Sequence, residues 1–370
     1  MSVRCHEVIS ILEKFAPRYI AEKGDPIGLQ IGDPGQEIRK IYVTLDLDSE
    51  VLAEAEEWGA DLLVVHHTPF YRPLQNIRTD LANGDLIARI IRSRMALYAA
   101  HTNLDSADNG VNAILSNLLG LTKVSPLATS WEQKLYKLVV FVPEDHREVV
   151  LKAITAAGAG WIGDYADCTF SAKGIGTFRP LEGTNPFIGE RGELAEVQEF
   201  RLETIVPEER LSQVIKAMLK AHPYEEVAYD LFPLANKGDS YGLGRVGYLP
   251  EAITFEDFLT LVKEKLNLKT LRYCGNLETK VKKVALCGGS GMSLFRDVIF
   301  SGADVFLTAD IKYHEAQDAL RQNIFLVDGG HFATEHPIVS VVAEYLRTKL
   351  TGDAVEVRAS NINTDPFSYY

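Results

Sequence analysis

Hydrophobic and polar positions alternate in blocks along residues 41–120. Short apolar runs are separated by longer segments in which apolar residues recur every three or four positions. The short runs predict strands at residues 41–45, 62–65 and 96–100. The longer segments predict helices at residues 49–57, 84–93 and 111–118. Strands that alternate with amphipathic helices are typical of βαβ units, so this part of the chain is predicted to form an α/β lobe with a parallel sheet.

The same rhythm returns between residues 281 and 360. Apolar runs predict strands near residues 284–286, 305–308, 324–327 and 355–358. Helical periodicity predicts helices at residues 292–300, 313–321 and 338–350. The chain is therefore expected to contain a second α/β lobe, related to the first.

The stretch between these lobes, residues 131–234, has a different pattern. It opens with the strand-like LYKLVVFVP and a helix that begins near Asp145, and it then passes through the Gly-rich residues 158–192. It closes with a strand, a helix at 207–221 and a final strand at 227–232. That order is typical of a ferredoxin-like α+β domain. The flanks, residues 122–130 and 235–242, are rich in Ser, Thr, Gly, Asn and Pro, which favours linkers.

These patterns together predict an α/β protein in three parts. Residues 1–128 are assigned to the first lobe of the core, residues 129–237 to an inserted ferredoxin-like domain, and residues 238–370 to the second lobe. At 370 residues the chain is long enough to bury a substantial core in each part.

Composition and charge narrow the range of functions. With 38 basic and 51 acidic residues the chain carries a net charge of −13, which disfavours binding to extended nucleic acid. The four cysteines are far apart in the sequence, as expected for reduced thiols in a cytoplasmic protein. Neither a signal peptide nor a membrane span is visible, because no apolar run reaches ~18 residues.

The first chemical signal is VVHHTPF, where a strand ends directly in His66 and His67. Ligands bind at the carboxyl edge of a parallel sheet, and successive side chains on a strand point to opposite sides. The two imidazoles are thus suited to serve two neighbouring ions. Taken alone, the motif fits equally well a pair of histidines that are hydrogen-bonded to backbone carbonyls.

Two further motifs place a histidine and an acid four residues apart just beyond a strand. They are His101 with Asp105 in AAHTNLD, and His331 with Glu335 in DGGHFATEHP. Such a pair lies on one face of a helical turn and can share an ion. One pair alone is weak evidence, but a pair in each lobe beside a His-His strand end indicates a metal site.

The number of candidate ligands favours two ions over one. A single catalytic zinc ion normally takes three protein ligands, whereas here His66, His67, Asp105, His331 and Glu335 are available, with His101 in reserve. A bridging Glu335 would give each ion about three ligands. Mixed imidazole and carboxylate ligation suits zinc, iron, manganese or cobalt.

Other motifs are less specific. CGGSG at residues 287–291 follows a strand and can either cradle a phosphate or form a tight turn, with the turn favoured. Asp310 can orient a ligand and Lys312 can bind an anion. Alternatively, Asp310 caps the N-terminus of a helix and Lys312 lies on its solvent-exposed face. In GLQIGDP, a loop near the pocket is expected, with Gln30 and Asp33 as polar contacts.

Taken in order, these motifs resemble those of the NIF-three-like proteins, a dinuclear-metal-centre family often named GTP cyclohydrolase I type 2 homologues. The segments that carry the likeness are GLQIGDP, VVHHTPF, AAHTNLD, CGGSG, TADIKYHEAQDA and DGGHFATEHP. The resemblance implies a two-lobed α/β core and a toroidal homohexamer whose metal sites face an internal cavity. It also implies two divalent ions per subunit, with zinc favoured over iron, manganese or cobalt. The ligand positions it matches are His66, His67, Asp105, His331 and Glu335.

The resemblance places His101 beside the metals, as a supporting group or proton carrier. The inserted stretch, marked by HPYEEVAYDLFPL at residues 222–234, resembles PII-like and CutA-like trimeric domains, which implies caps on the hexamer. The leading hypothesis is a metal-dependent hydrolase in which activated water attacks a purine nucleotide ring, with His101 as acid or base. Alternatives are a metal-binding regulatory or storage hexamer whose insert senses a small molecule, and a dinuclear phosphoesterase. The residues that bind substrate are not identified.

Overall fold

The structure is a computed structural model, and it describes residues 3–351 and 355–368. The chain forms two compact units. One combines Met1–Trp131 with Tyr241–Tyr370, and the other is Glu132–Ser240. The separate unit therefore largely coincides with the predicted insertion, and both of its boundaries lie three residues after the predicted 129 and 237.

The first part of the chain contains the predicted βαβ pattern. Its elements are β1 (Val3–Arg4), α1 (Cys5–Phe15), β2 (Gly28–Ile31), β3 (Glu37–Ile38), β4 (Lys40–Thr44), α2 (Ser49–Trp58), β5 (Leu62–Val65), α3 (Ala82–Arg92), β6 (Ala96–Ala99), α4 (Thr102–Ser106), α5 (Val111–Leu118) and β7 (Thr122–Glu132). The start of α2 shows why the boundaries follow the sequence. The Asp48 carboxylate accepts hydrogen bonds from two amides of the first turn, and Gly59 ends the helix in the left-handed conformation.

The inserted unit is a four-stranded sheet with two helices. Its elements are β8 (Leu135–Pro143), α6 (Arg147–Ala156), β9 (Thr169–Phe178), β10 (Ala195–Pro207), α7 (Glu208–Ala221) and β11 (Tyr229–Pro233). The sheet order is β11-β8-β10-β9, and all pairs are antiparallel. This is the predicted ferredoxin-like arrangement. Alternate side chains of β8, including Val140 and Val142, pack against both helices.

The final part of the chain returns to the α/β pattern. Its elements are β12 (Ser240–Thr254), α8 (Phe255–Lys265), β13 (Arg272–Cys274), β14 (Lys280–Leu286), α9 (Phe295–Ser301), β15 (Val305–Thr308), α10 (Tyr313–Arg321), β16 (Phe325–Asp328), α11 (His331–Glu335), α12 (Pro337–Lys349) and β17 (Glu356–Ala359). The expected α/β fold class is thus confirmed.

The larger unit contains two sheets that are parallel at their centres. The first has the order β17-β4-β5-β6-β2, and the second has the order β13-β16-β15-β14-β12-β7. In the first sheet β17 runs parallel to β4, with Glu356 in register with Lys40. The strand near residues 355–358, which the sequence pattern assigned to the second lobe, therefore completes the first sheet.

The two predicted linkers are wrong in part, because β7 and β12 are long strands of the second sheet. Most side chains of β7 are exposed, and a strand of this kind tolerates the Ser, Thr and Pro content that looked like a linker. GLQIGDP is likewise not a free loop, since β2 forms the antiparallel edge of the first sheet beside β6.

The central parallel strands are short and fully buried. Every side chain of β5, β6 and β15 is buried, as is typical of strands covered on both faces by helices. In such sheets the carboxyl ends of the strands are the usual place for ligand-binding residues. Within the described ranges, no helix is both long and apolar enough to cross a membrane.

Candidate metal centre

The predicted ligands follow the carboxyl ends of buried strands in both sheets. His66 and His67 come directly after β5, and His101 lies just beyond β6 at the start of α4. From the second sheet, β16 leads into α11, whose first and last residues are His331 and Glu335. The strand ends of the two sheets thus supply one cluster.

Glu335 lies at the centre of this cluster. Its Oε2 is 3.0 Å from His67 Nε2, 3.3 Å from His331 Nε2 and 3.8 Å from His66 Nε2. Asp105 Oδ1 lies 3.6 Å from the same nitrogen of His66. Ligands held about 2.0–2.2 Å from a tetrahedral zinc ion are roughly 3.3–3.6 Å apart, so the observed separations match a metal coordination shell.

These residues form three overlapping groups with ligand atoms within 4.8 Å of one another. The groups share members, and they are His66 with His67 and His101, His67 with His331 and Glu335, and His66 with Asp105 and Glu335. The structure thereby brings together all five predicted ligands and His101. That they bind metal stays a prediction.

Each of the four histidines has an acceptor at Nδ1, which fixes its ring orientation. The pairs are His66 with the Ala100 carbonyl at 2.9 Å, His67 with Asp46 at 2.7 Å, His101 with Asp25 at 2.9 Å, and His331 with Asp310 at 2.7 Å. A carbonyl or carboxylate oxygen only accepts, so each Nδ1 carries the proton. The Nε2 atom of each ring is left to face the cluster, as in metal-bound histidines.

Three buried polar atoms of the cluster lack a hydrogen-bond partner among the described residues. They are His66 Nε2, Asp105 Oδ1 and Glu335 Oε2. His66 is 2 % exposed and Glu335 is 4 % exposed, so bulk water does not reach these atoms freely to take the place of a hydrogen-bond partner. A polar atom buried without a partner costs about 1–3 kcal/mol, and three such atoms in one place are suited to a single ligand that all of them share. The residues present therefore fit a cation.

The pKa values of the two carboxyl groups also indicate that the cluster is suited to bind a positive charge. Burial raises the pKa of Asp105 well above its usual range, and the neighbouring Glu335 adds to the rise. Burial also disfavours the charged form of Glu335, but the positive charge of the nearby His331 and His67 outweighs it and lowers the pKa of that carboxyl. A bound cation would let both carboxylates stay ionised.

The histidines titrate differently according to their surroundings. Burial lowers the pKa of His66 to about 4, which keeps its Nε2 free of a proton. Burial acts in the same direction on His67, but Asp46 and Glu335 raise its pKa to about 10. Glu335, with a smaller contribution from Asp310, raises the pKa of His331 to about 9. Metal binding must therefore displace protons from His67 and His331.

Gly289 gives Glu335 the room to reach the cluster. Its φ is +59°, and a Cβ there would lie 2.1 Å from Glu335 Oε1 and 2.9 Å from His331 Nε2. The amides of the three glycines of the CGGSG segment are already occupied, since those of Gly288, Gly289 and Gly291 donate to Asn112, Thr334 and Thr308. The segment is thus a tight turn beside the cluster rather than a phosphate cradle.

Several weaker candidates lie outside the cluster. The Gln30 amide donates to the carbonyls of Pro26 and Gly28, and Asp33 accepts from the Gly35 amide. Lys312 is exposed and lies at the start of α10, where its Nζ is 3.9 Å from Glu315. Of these secondary candidates only Asp310 contacts a cluster residue, His331.

Sequence reasoning missed two residues that support the histidines. Asp46 follows β4, so the rule that ligands gather at carboxyl strand ends was enough to find it. Asp25 lies in an irregular loop with no local signal. It accepts hydrogen bonds from His101 and from both the amide and hydroxyl of Thr102.

The fold and the cluster define a two-sheet α/β protein with a polyhistidine and carboxylate centre at the strand ends. The Duf34/NIF3 (NGG1p interacting factor 3) family model matches residues 3–366. The chain belongs to that family. It is 46 % identical over 365 residues to the GTP cyclohydrolase 1 type 2 homolog of Halalkalibacterium halodurans, covering 98 % of each chain.

Two further similarities extend over essentially the whole chain. The GTP cyclohydrolase 1 type 2 homolog of Bacillus subtilis is 42 % identical over 374 residues, covering 100 % of this chain and 99 % of the relative. The crystal structure of a Bacillus cereus protein related to NIF3 is 44 % identical, with a TM-score of 0.91 and coverage of 100 % and 99 %.

Proposed function

We propose that the protein is a metal-dependent hydrolase that uses two divalent ions per chain to attack a purine nucleotide ring. The observation that carries this proposal is the convergence of three unpartnered buried atoms, on His66, Asp105 and Glu335. The purine nucleotide is taken from the name GTP cyclohydrolase 1 type 2 homolog, which the relatives from Halalkalibacterium halodurans and Bacillus subtilis bear.

Two ions are proposed because the donors exceed what one ion takes. The cluster divides into overlapping triads, and Glu335 is a member of two of them. A carboxylate shared in this way is suited to bridge a pair of ions, each with about three protein ligands. Imidazole and carboxylate ligands suit zinc, iron, manganese or cobalt, and zinc is the favoured ion.

When bound, the ions supply an activated water and neutralise the charge that develops on the substrate. His101 is the proposed acid or base. Its Nδ1 is held by Asp25, so its proton exchange with substrate takes place at Nε2. Asp25 is buried, with a side chain that is 3 % exposed, and its hydrogen bonds with Thr102 fix the position of the His101 ring.

The test is a metal analysis followed by a substrate screen of the same preparation. Protein reconstituted with zinc, iron, manganese or cobalt is assayed with GTP and related nucleotides for formate release and loss of guanine absorbance. We expect about two ions per chain and turnover of a guanine nucleotide. Fully metallated protein that turns over no purine nucleotide would refute the cyclohydrolase activity, and hydrolysis of a model phosphodiester instead would favour a phosphoesterase.

A second candidate function is a metal-binding regulatory or storage assembly, a toroidal homohexamer in the cytoplasm capped by PII/CutA-like inserts. Large apolar side chains on the edge strands of the insert favour self-association. Phe170 and Ile175 on β9 are 66 % and 62 % exposed, and Phe232 on β11 is 48 % exposed. Light scattering coupled to size-exclusion chromatography would measure the oligomer, and a monomer would exclude this assembly.

A further inference from the structure

The inserted unit contains a cavity of about 390 Å³, and every residue that lines it belongs to that unit. Its lining comes from β8, β9 and β10, from the loop that joins β9 to β10, and from the turn after α7. Phe141 contributes from β8. Because Val140 and Val142 pack against the helices, Phe141 points to the opposite face of the sheet. The cavity thus lies on the face of the sheet that the helices leave free, and its size suits a small molecule.

The walls of the cavity are aromatic. Phe178 and Phe187 both lie beside Tyr224, with ring centroids 5.8 Å and 6.3 Å from it. The Phe178 and Tyr224 rings meet edge to face. Aromatic faces arranged around a cavity attract an organic cation through the negative charge of their π-systems.

The charged groups that line the cavity are all acidic. They are Glu199, Glu225 and Glu226, and no lysine, arginine or histidine is among the described lining residues. Glu199 is 8 % exposed. Its Oε1 accepts a hydrogen bond from the Tyr224 hydroxyl at 2.9 Å, whereas no described residue donates to its Oε2. Since Oε2 is not among the fully buried atoms without a partner, it is open to the cavity, where it favours a ligand that brings a positive charge and a donor.

Because Gly176 has no side chain, it leaves room for the Glu199 carboxylate. A Cβ at Gly176 would lie 2.1 Å from Glu199 Oε2, so a larger residue there would displace the oxygen. Gly174, two residues earlier on the same strand, has open space at the corresponding position. The glycine at 176 is therefore matched to the Glu199 side chain, and the glycine at 174 offers an internal control.

We infer that the inserted unit binds a small organic cation, an ammonium or amidinium group on an apolar body, with its charge paired to Glu199 and its body against Phe178, Phe187 and Tyr224. The inference uses none of the metal ligands, and it holds whether or not the protein is a hydrolase. It identifies the chemical class of effector that the insert would recognise.

The experiment uses the full chain loaded with metal. Binding of benzamidine, phenethylammonium and phenyltrimethylammonium is measured by calorimetry and ligand-observed NMR, with neutral benzamide and anionic benzoate as matched controls. We expect the cations to bind at least tenfold more tightly than benzamide. Glu199→Gln and Gly176→Ala should each weaken cation binding tenfold or more, whereas Gly174→Ala should leave it unchanged.

Glu199→Gln keeps an acceptor for the Tyr224 hydroxyl, and thermal unfolding of each variant checks that the insert is intact. If Glu199→Gln fails to fold, the comparison of Gly176→Ala with Gly174→Ala still decides, since neither position has a positive φ. The proposal is overturned if none of the three cations binds, if benzamide binds as tightly as benzamidine, or if the two glycine variants bind cations equally. The metal analysis and nucleotide assay test the hydrolase independently.

Discussion

Replacement of Gly289 by alanine tests whether Glu335 is the central ligand. The new Cβ would lie 2.1 Å from Glu335 Oε1, and ordinary contact begins at 3.4 Å. The carboxyl group must therefore retreat by about 1.3 Å, more than twice the ~0.5 Å tolerance of a functional site. Since His331 Nε2 lies 2.9 Å from the same point, the imidazole has no room to compensate.

The expected result of Gly289→Ala has two components. The left-handed backbone at φ +59° costs roughly 1–2 kcal/mol of stability for a residue with a Cβ. The displaced ligand should also lower metal affinity by about 10–100-fold, the range found when groups that orient a ligand are lost. Elemental analysis of the purified chain and competition with a chelator measure the second component.

Gly302→Ala is the matched control. Gly302 ends α9 with φ +68° and has nothing within 4 Å of its Cβ position, so its replacement brings the same backbone strain without the clash. We expect it to lower the melting temperature and to leave metal content unchanged. If Gly289→Ala retained wild-type metal affinity, Glu335 would not be the ligand that the geometry indicates.

Three further changes examine the cluster from different directions. Glu335→Gln should release both ions if this carboxylate bridges them, and elemental analysis showing loss of one ion or none would contradict bridging. Asp46→Asn should weaken metal affinity by about 10–100-fold because His67 loses its carboxylate partner. Asp48→Ala, which removes the cap of α2 and costs about 1 kcal/mol, should leave that affinity intact. Metal uptake at neutral pH should release protons, because the pKa values of His67 and His331, about 10 and 9, keep both rings protonated without metal. Apparent affinity should then rise as pH rises toward those values, and a binding heat that does not depend on the ionisation heat of the buffer would rule this out.

The sequence predicted the central strands well because the buried residues of each strand are consecutive in the sequence. β5 and β15 are uninterrupted apolar runs bounded by polar residues, and a run of that kind has few alternatives in an α/β protein. The long strands β7 and β12 were missed because their Gly, Ser, Thr and Pro content matches that of a loop. The position of β17 beside β4 could not be predicted, since the choice of a pairing partner depends on tertiary packing.

The site could be predicted where its functional side chains come soon after the carboxyl ends of buried strands. His66, His67 and Glu335 were found because two imidazoles and an acid stand directly after buried runs or one helical turn apart. Asp25 was not found, because its proximity to His101 arises from the path of an irregular loop, and no sequence spacing encodes that path.

The pairing of β17 with β4 has a consequence for how the protein matures. During synthesis β4 emerges early, whereas β17 follows only after the insert and the second sheet have been made. The first sheet must wait for its edge partner, and a pairing so distant in sequence is slow to form. Glu335 also emerges late, so a nascent chain holds His66 and His67 long before their shared carboxylate is available. We therefore expect the proposed cations to bind only after α11 has been made, and a ribosome-stalled chain that ends before α11 should not bind them.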